Sequence, residues 1–149
     1  MAADRIEREI VVDAPQERVW AVLTEAEHVA RWFGDSAEVD LRPGGKMVFG
    51  WAQYNSPDHR AVIERVEPPS FFSYRWARRS GEDPVDGNST LVEFSLSPDG
   101  ARTRLRVVES GFGRLAVSED ERGTAVKENT EGWISELGEL QDYAERTSS

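Results

Sequence analysis

The segment from Thr124 to Arg146 constrains the fold most strongly, because it reads as one long amphipathic helix. One side of this helix carries apolar or small residues at helical spacing, namely Val126, Thr130, Trp133, Leu137, Leu140 and Ala144. Several carboxylates lie on the other side of the helix, namely Glu128, Glu131, Glu136, Glu139 and Asp142, and are predicted to face water. A helix with one apolar stripe must bury it against a second layer, so the rest of the chain has to provide a matching surface.

That surface is predicted to be an antiparallel sheet. Apolar and polar residues alternate in seven segments, at about 6–12, 37–41, 47–53, 60–67, 72–76, 92–96 and 103–107. The turn signatures Pro43-Gly44-Gly45 and Ser97-Pro98-Asp99-Gly100 separate neighbouring strands. Two short helices are predicted after the first strand, one ending near Thr24 and one from Ala26 to Phe33.

The 149 residues suffice for one hydrophobic core, so a single domain over residues 1–149 is predicted. The order of elements favours an α+β fold of the helix-grip type, in which a curved antiparallel sheet of about seven strands surrounds the C-terminal helix. Such a sheet leaves space beside the helix, which is where a ligand is expected to bind.

The charge balance excludes several partners. A net charge of −10 argues against nucleic acid, which needs clustered Lys and Arg, and against anionic membrane surfaces. The chain has no cysteine and no apolar run of membrane-spanning length. Residues 1–5 lack the apolar stretch of a signal peptide, so a cytoplasmic location is expected.

Five segments in order resemble motifs of a known family: Pro43–Gly45, Val62–Pro69, Tyr74–Trp76, Glu109–Phe112 and Asn129–Trp133. They are similar to bacterial homologues of the C-terminal domain of the heat shock chaperone (heat shock protein 90) ATPase activator. That family belongs to the START, SRPBCC or birch-pollen-allergen-like superfamily. The resemblance implies a START-like helix-grip fold, in a superfamily that includes lipid and hormone carriers, polyketide cyclases, ring-hydroxylase subunits and stress-related co-chaperones.

Aromatic side chains are predicted to converge between sheet and helix, where pockets favour aromatic walls. The candidate ligand-binding residues are Trp32, Phe49, Trp51, Tyr74, Trp76, Phe94, Phe112, Trp133 and Leu137. A flat apolar ligand would enter near the loop 111–123 and pack between Trp51, Trp76 and Trp133. The alternative is that most of these rings are ordinary core.

Polar residues on the concave face are the candidates for catalysis. Glu64 and Glu109 are the candidate general bases, with Arg8 and Gln53 predicted on the same face. Glu64 takes this role only if Val62 and Val66 point inward, and an Arg8–Glu64 ion pair of purely structural function is the alternative.

His28 and His59 are the only histidines, and neither has metal-ligand spacing to the other. His59 is expected to be a solvated turn residue, with a proton shuttle at a cavity mouth as the alternative. No metal and no cofactor are therefore expected.

The sequence supports three alternative hypotheses for the function. The first is binding of a small apolar molecule without catalysis. The second is a cyclase or hydrolase that uses a cavity carboxylate, and the third is a stress-related module that binds a chaperone. The sequence does not decide between a monomer and a homodimer.

Overall fold

The structure, a computed structural model, describes residues 4–52 and 56–147. The strands are β1 Arg5–Val12, β2 Ser36–Val39, β3 Lys46–Trp51, β4 Ser56–Glu67, β5 Phe71–Ala77, β6 Ser89–Asp99 and β7 Arg102–Ser110. The helices are α1 Gln16–Thr24, α2 Ala26–Trp32 and α3 Glu119–Thr147. The predicted order of strand, two short helices, six strands and one long helix is confirmed. The predicted concave-face residue Gln53 lies outside the described residues.

All seven strands form one antiparallel sheet in the order β1-β7-β6-β5-β4-β3-β2. Strands β2 to β7 follow one another as a meander, and β1 joins the far edge by pairing with β7, where Ile10 lies opposite Leu105. The sheet and the helix packed on it make the α+β helix-grip fold that the sequence predicts. Along each regular stretch of strand, every second side chain therefore points to the face of the sheet on which α3 packs.

Helix α3 lies against one face of the sheet through the predicted stripe. Trp133, Leu137, Leu140 and Ala144 are all buried, and their spacing of three or four residues puts them on one side of the helix. None of the helices in the described part of the chain combines the length and hydropathy that a bilayer crossing requires.

The loop before α3 is shorter than predicted. A short 3₁₀ turn at Phe112–Arg114 follows β7, and α3 begins at Glu119, so Gly123 lies inside the helix. The Ser118 hydroxyl accepts a hydrogen bond from the Glu121 N–H at 3.1 Å, which caps the first turn. Carboxylates in that turn also complement the helix dipole.

Helices α1 and α2 close one side of the layer between sheet and α3. The Trp32 indole N–H at the end of α2 donates to the Val22 carbonyl of α1 at 2.8 Å. This bond fixes the two short helices together and sets the position of Phe33, the next residue along the chain.

Candidate functional site

The predicted aromatic side chains form a continuous cluster between the sheet and α3. Rings from β3, β5, β6 and α3 contact one another at centroid distances of about 6 Å, as in the pairs Phe49–Tyr74, Trp76–Trp133 and Phe94–Trp133. Of the nine candidate ligand-binding residues, the structure brings seven into this cluster: Trp32, Phe49, Trp51, Tyr74, Trp76, Phe94 and Trp133. The other two, Leu137 and Phe112, are buried in the same hydrophobic core.

Phe33 occupies the position that the sequence assigned to a ligand. Its ring centroid lies 5.0 Å from Trp51, 5.7 Å from Trp76 and 5.6 Å from Trp133. Phe33 is 3% exposed. The space between these three tryptophans is therefore filled by the protein's own phenyl ring in this conformation.

Glu109 is a fully buried carboxylate whose hydrogen-bond partners are all neutral. Its Oε1 accepts from the Trp133 indole at 2.8 Å, and its Oε2 accepts from the Trp76 indole at 3.0 Å and the Thr90 hydroxyl at 2.6 Å. The Asn129 amide nitrogen donates to both oxygens, at 3.1 and 3.0 Å. Among the described residues no Lys, Arg or His forms an ion pair with this carboxylate.

This arrangement gives Glu109 a structural role. The four donors come from β5, β6 and α3, so one side chain of β7 ties the helix to three adjacent strands. A general base has to reach the proton of a substrate. The two oxygens of Glu109 already accept five hydrogen bonds, so its lone pairs are turned toward the protein itself.

Glu64 does not lie on the concave face, and the predicted inward orientation of Val62 is wrong. The register of β4 against β5 shifts between Ile63 and Arg65, which is a β-bulge. Ile63 is 1% exposed and points into the core, so Glu64 points outward and contacts the Arg75 guanidinium at 3.4 Å.

Arg8 is also remote from this interior. It is exposed, and its guanidinium lies 3.5 Å from the Glu7 carbonyl, so the expected Arg8–Glu64 pair does not form. Of the two candidate general bases, Glu109 is buried in the interior as predicted, whereas Glu64 is exposed.

Glu136 is a carboxylate that the sequence analysis placed on the wet side of α3, and this is wrong. Burial raises the pKa of Glu136 to about 7, the hydrogen bond from Trp51 lowers it, and the charge of Glu139 raises it further. Burial also raises the pKa of the Tyr74 phenol well above its ordinary value, and the charges of Glu109 and Glu136 add to this effect. The signal in the sequence is that Glu136 falls one turn after Trp133 and beside Leu137, at the margin of the apolar stripe.

His59 lies on β4 and is half-buried, so the expected solvated turn residue is wrong. Its Nε2 donates to the Ala77 carbonyl at 2.5 Å, and its ring packs 5.7 Å from Trp51 and 5.2 Å from Trp76. Burial lowers the pKa of His59, against the opposing effect of the Ala77 hydrogen bond. The neutral imidazole therefore acts as part of the rim of the aromatic cluster.

A cavity of about 390 Å³ that is half open to solvent lies beside the first turns of α3. Its apolar wall consists of Leu115, Val117 and Ala125. Charged and polar side chains complete the lining, namely Arg78, Arg79, Asp120, Glu121 and Thr124. The cavity lies at the predicted entrance, the segment between β7 and α3, and not between the three tryptophans.

One group of side chains has metal-ligand spacing within the described residues. Donor atoms of Glu25, Glu27 and His28 lie within 4.8 Å of one another. Both carboxylates are exposed, and the other ring nitrogen of His28 is 2.7 Å from the Tyr143 hydroxyl. Such surface groups are common without a metal, so these three residues are not evidence for a metal site.

Solved structures with the same architecture cover almost the whole chain. MLL2253 from Mesorhizobium loti is 20% identical, with a TM-score of 0.80 over 97% of this chain and 99% of that one. The Aha1 dimer from Colwellia psychrerythraea is 18% identical, with a TM-score of 0.76 over 96% of this chain and 97% of that one. At these identities the likeness shows the fold alone.

DynU16, a protein in the dynemicin biosynthetic locus, is 25% identical, with a TM-score of 0.76. The match covers 95% of this chain and 47% of DynU16. No curated protein matches the sequence significantly.

The family model for activator of Hsp90 ATPase homolog 1-like proteins matches residues 13–145. This range runs from the end of β1 to the last turns of α3, and it includes all the motifs that suggested the resemblance. The chain therefore belongs to the family of activator of Hsp90 ATPase homolog 1-like proteins.

Proposed function

We propose that this protein binds a small hydrophobic molecule, without catalysis, in the cavity between residues 111–118 and the first turns of α3. The observation that carries the proposal is the cavity itself, whose volume of about 390 Å³ is within the range of small-molecule sites, about 300–1,000 Å³. Both walls come from segments that the fold holds in place, since Leu115 and Ala125 are each 1% exposed.

The lining favours an amphipathic ligand. Val117, the partly exposed residue of the apolar wall, suits a hydrocarbon body, whereas Arg79 and Asp120 are exposed and suit a polar end near solvent. The likeness to DynU16, a protein of a biosynthetic locus, also supports a small organic molecule over a protein partner.

Binding has more support than catalysis because Glu109, the buried candidate base, is fully hydrogen-bonded by protein donors. It is also absent from the cavity wall. Glu64 points to solvent on the opposite face of the sheet.

The test uses 1-anilinonaphthalene-8-sulfonate, a fluorescent amphipathic probe, and a variant that fills the cavity. Thr124 is exposed and lines the cavity, so Thr124→Trp places an indole across it without disturbing the core. We expect the dissociation constant of the probe to rise about tenfold or more, which corresponds to the loss of about 1.4 kcal/mol of binding free energy.

Glu131→Trp is the matched control, because Glu131 is exposed on the same helix outside the cavity wall. It should bind the probe like the wild type. Equal binding by Thr124→Trp and the wild type would refute the proposal. If the protein also stimulated a chaperone ATPase equally well with and without Thr124→Trp, the protein-binding alternative would be favoured instead.

A further inference from the structure

Arg18 carries two buried donors that have no acceptor. Its Nε and Nη2 atoms are buried without a hydrogen-bond partner, and no other buried side-chain nitrogen or oxygen of the described residues is in this condition. None of the ion pairs among these residues includes Arg18. Buried polar groups of folded proteins nearly always have partners, so this exception requires a physical reason, and a bound anion is a common one.

The position of Arg18 on α1 explains why these atoms are buried. Val22, one turn later on α1, is buried, so the Arg18 side chain leaves the helix close to its inner face. The guanidinium carbon lies 5.6 Å from the centroid of the Tyr143 ring, at the seam between α1 and α3. The Tyr143 hydroxyl is 2.7 Å from Nδ1 of His28 on α2, so the ring is held from a third helix. Arg18 as a whole is only partly buried, so its side chain also reaches the surface.

The two unpaired atoms of Arg18 lie on the edge of the guanidinium that fits a carboxylate. Nε–H and one N–H of Nη2 share this edge and point in parallel, so one carboxylate accepts from both, with one bond to each oxygen. Such charge-assisted pairs are among the strongest hydrogen bonds in proteins. Nearby carboxylates have other partners, since Glu145 accepts from the Asp13 N–H at 2.9 Å and Glu25 lies 3.9 Å from Nε2 of His28. The edge of Arg18 is therefore left for a carboxylate from outside the chain.

We propose that Arg18 binds a small carboxylate ligand at the seam between α1 and α3, with Nε–H and Nη2–H as the two donors. The guanidinium contacts the Tyr143 ring, but these two atoms have no hydrogen bond to lose, so a small outward turn of this partly exposed side chain brings the edge to the surface. The two new hydrogen bonds offset the lost ring contact. A singly charged carboxylate is favoured over phosphate, because the exposed Glu17 and Glu25 repel a doubly charged anion more strongly. The site is at the opposite end of α3 from the cavity, so it does not rest on the proposed function.

The experiment follows the Arg18 Nε–H signal by two-dimensional proton–nitrogen NMR while sodium acetate replaces sodium chloride at constant ionic strength. The signal is identified by its absence from the spectrum of Arg18→Met. We expect it to shift and to saturate at millimolar acetate, because the donor gains a charged acceptor. A signal that acetate does not shift would overturn the proposal. Phosphate that binds as tightly as acetate would overturn the assignment of the ligand as a carboxylate.

Two variants of Arg18 separate the two-donor edge from the charge alone. Arg18→Lys keeps the charge but offers no parallel pair of donors, so the dissociation constant of acetate, read from the backbone amides of α1, should rise about tenfold or more. Arg18→Met keeps the apolar stem and should lose binding altogether. Arg31→Lys, at an exposed position of α2, is the matched control and should bind acetate like the wild type. Undiminished binding by either Arg18 variant, in a protein whose backbone spectrum shows that it is folded, would overturn the proposal.

Discussion

The Trp133 indole N–H donates to Oε1 of Glu109 at 2.8 Å, and this bond joins the middle of α3 to the sheet. Neither residue is more than 3% exposed. The carboxylate also accepts from three other neutral donors. Its charge is stabilised by hydrogen bonds instead of a counter-ion, so the pair depends on every donor staying in place.

Replacing Glu109 by Gln should destabilise the fold strongly. The amide group of Gln would place an N–H₂ against side chains that are themselves donors, which leaves at least one buried donor without an acceptor. We expect the free energy of unfolding to fall by about 2–4 kcal/mol. Urea denaturation followed by far-UV circular dichroism measures it. Glu38→Gln, an exposed carboxylate on β2, is the control and should change stability by about 0.5 kcal/mol or less.

Replacing Arg18 by Met should stabilise the protein. The Nε and Nη2 atoms of Arg18 are buried and have no hydrogen-bond partner within the described part of the chain, while the guanidinium lies 5.6 Å from the centroid of the Tyr143 ring. Met keeps the apolar contacts of the stem and removes the desolvated donors. We expect a gain of about 1–2 kcal/mol, measured by thermal and urea unfolding. Arg31→Met, at an exposed position of α2, should give no comparable gain.

Glu136 should make the protein less stable as the pH rises. Its pKa in the folded protein is about 7, above the ordinary value of 4.5, so the folded state holds a proton that the unfolded state has released between these two values. Stability is therefore fully present below pH 4.5 and is lost as the pH rises toward 7. Because the side chain is partly solvated, we expect a loss of about 1–2 kcal/mol. Glu136→Gln should remove this dependence in unfolding titrations from pH 4.5 to 8, and an unchanged profile would contradict the assignment.

His59 should make the protein more stable as the pH rises, which is opposite to the effect of Glu136. Burial lowers its pKa below the ordinary 6.5, so the unfolded chain takes up a proton at a higher pH than the folded protein does. Stability is present above pH 6.5 and falls as the pH decreases through the lowered pKa. His59→Gln can still donate to the Ala77 carbonyl but does not titrate, so its stability should vary less between pH 7 and pH 5. Equal pH dependence in His59→Gln and the wild type would refute this prediction.

Most of the fold could be predicted because periodicity and turn chemistry act locally. The alternation in residues 92–96 and 103–107 and the turn signature at Ser97–Gly100 predict a hairpin without any knowledge of its neighbours. The structure places the turn itself at Gly100-Ala101, because Pro98 and Asp99 still pair with β7. The stripe from Trp133 to Ala144 likewise defines which side of α3 meets the sheet. The family motifs added the identity of the fold.

The details of the site were harder to predict because they depend on tertiary contacts. A β-bulge after Ile63 reverses which side chains of β4 face the core, and nothing in the alternation of that segment reveals it. The half-buried position of Glu136 depends on how close Trp51 comes to α3. The sequence also placed Phe33 among the converging rings, but only the assembled structure shows that it fills the space between the tryptophans.

The shared acceptor Glu109 has a consequence for related chains. The Trp133 indole donates to this carboxylate, whereas the Trp76 indole also donates to the Thr90 hydroxyl at 3.1 Å, so loss of Glu109 would leave the buried Trp133 N–H without its acceptor. Relatives that carry a hydrocarbon side chain at position 109 should therefore have lost the indole at position 133, so these two residues would be inherited or discarded as a pair.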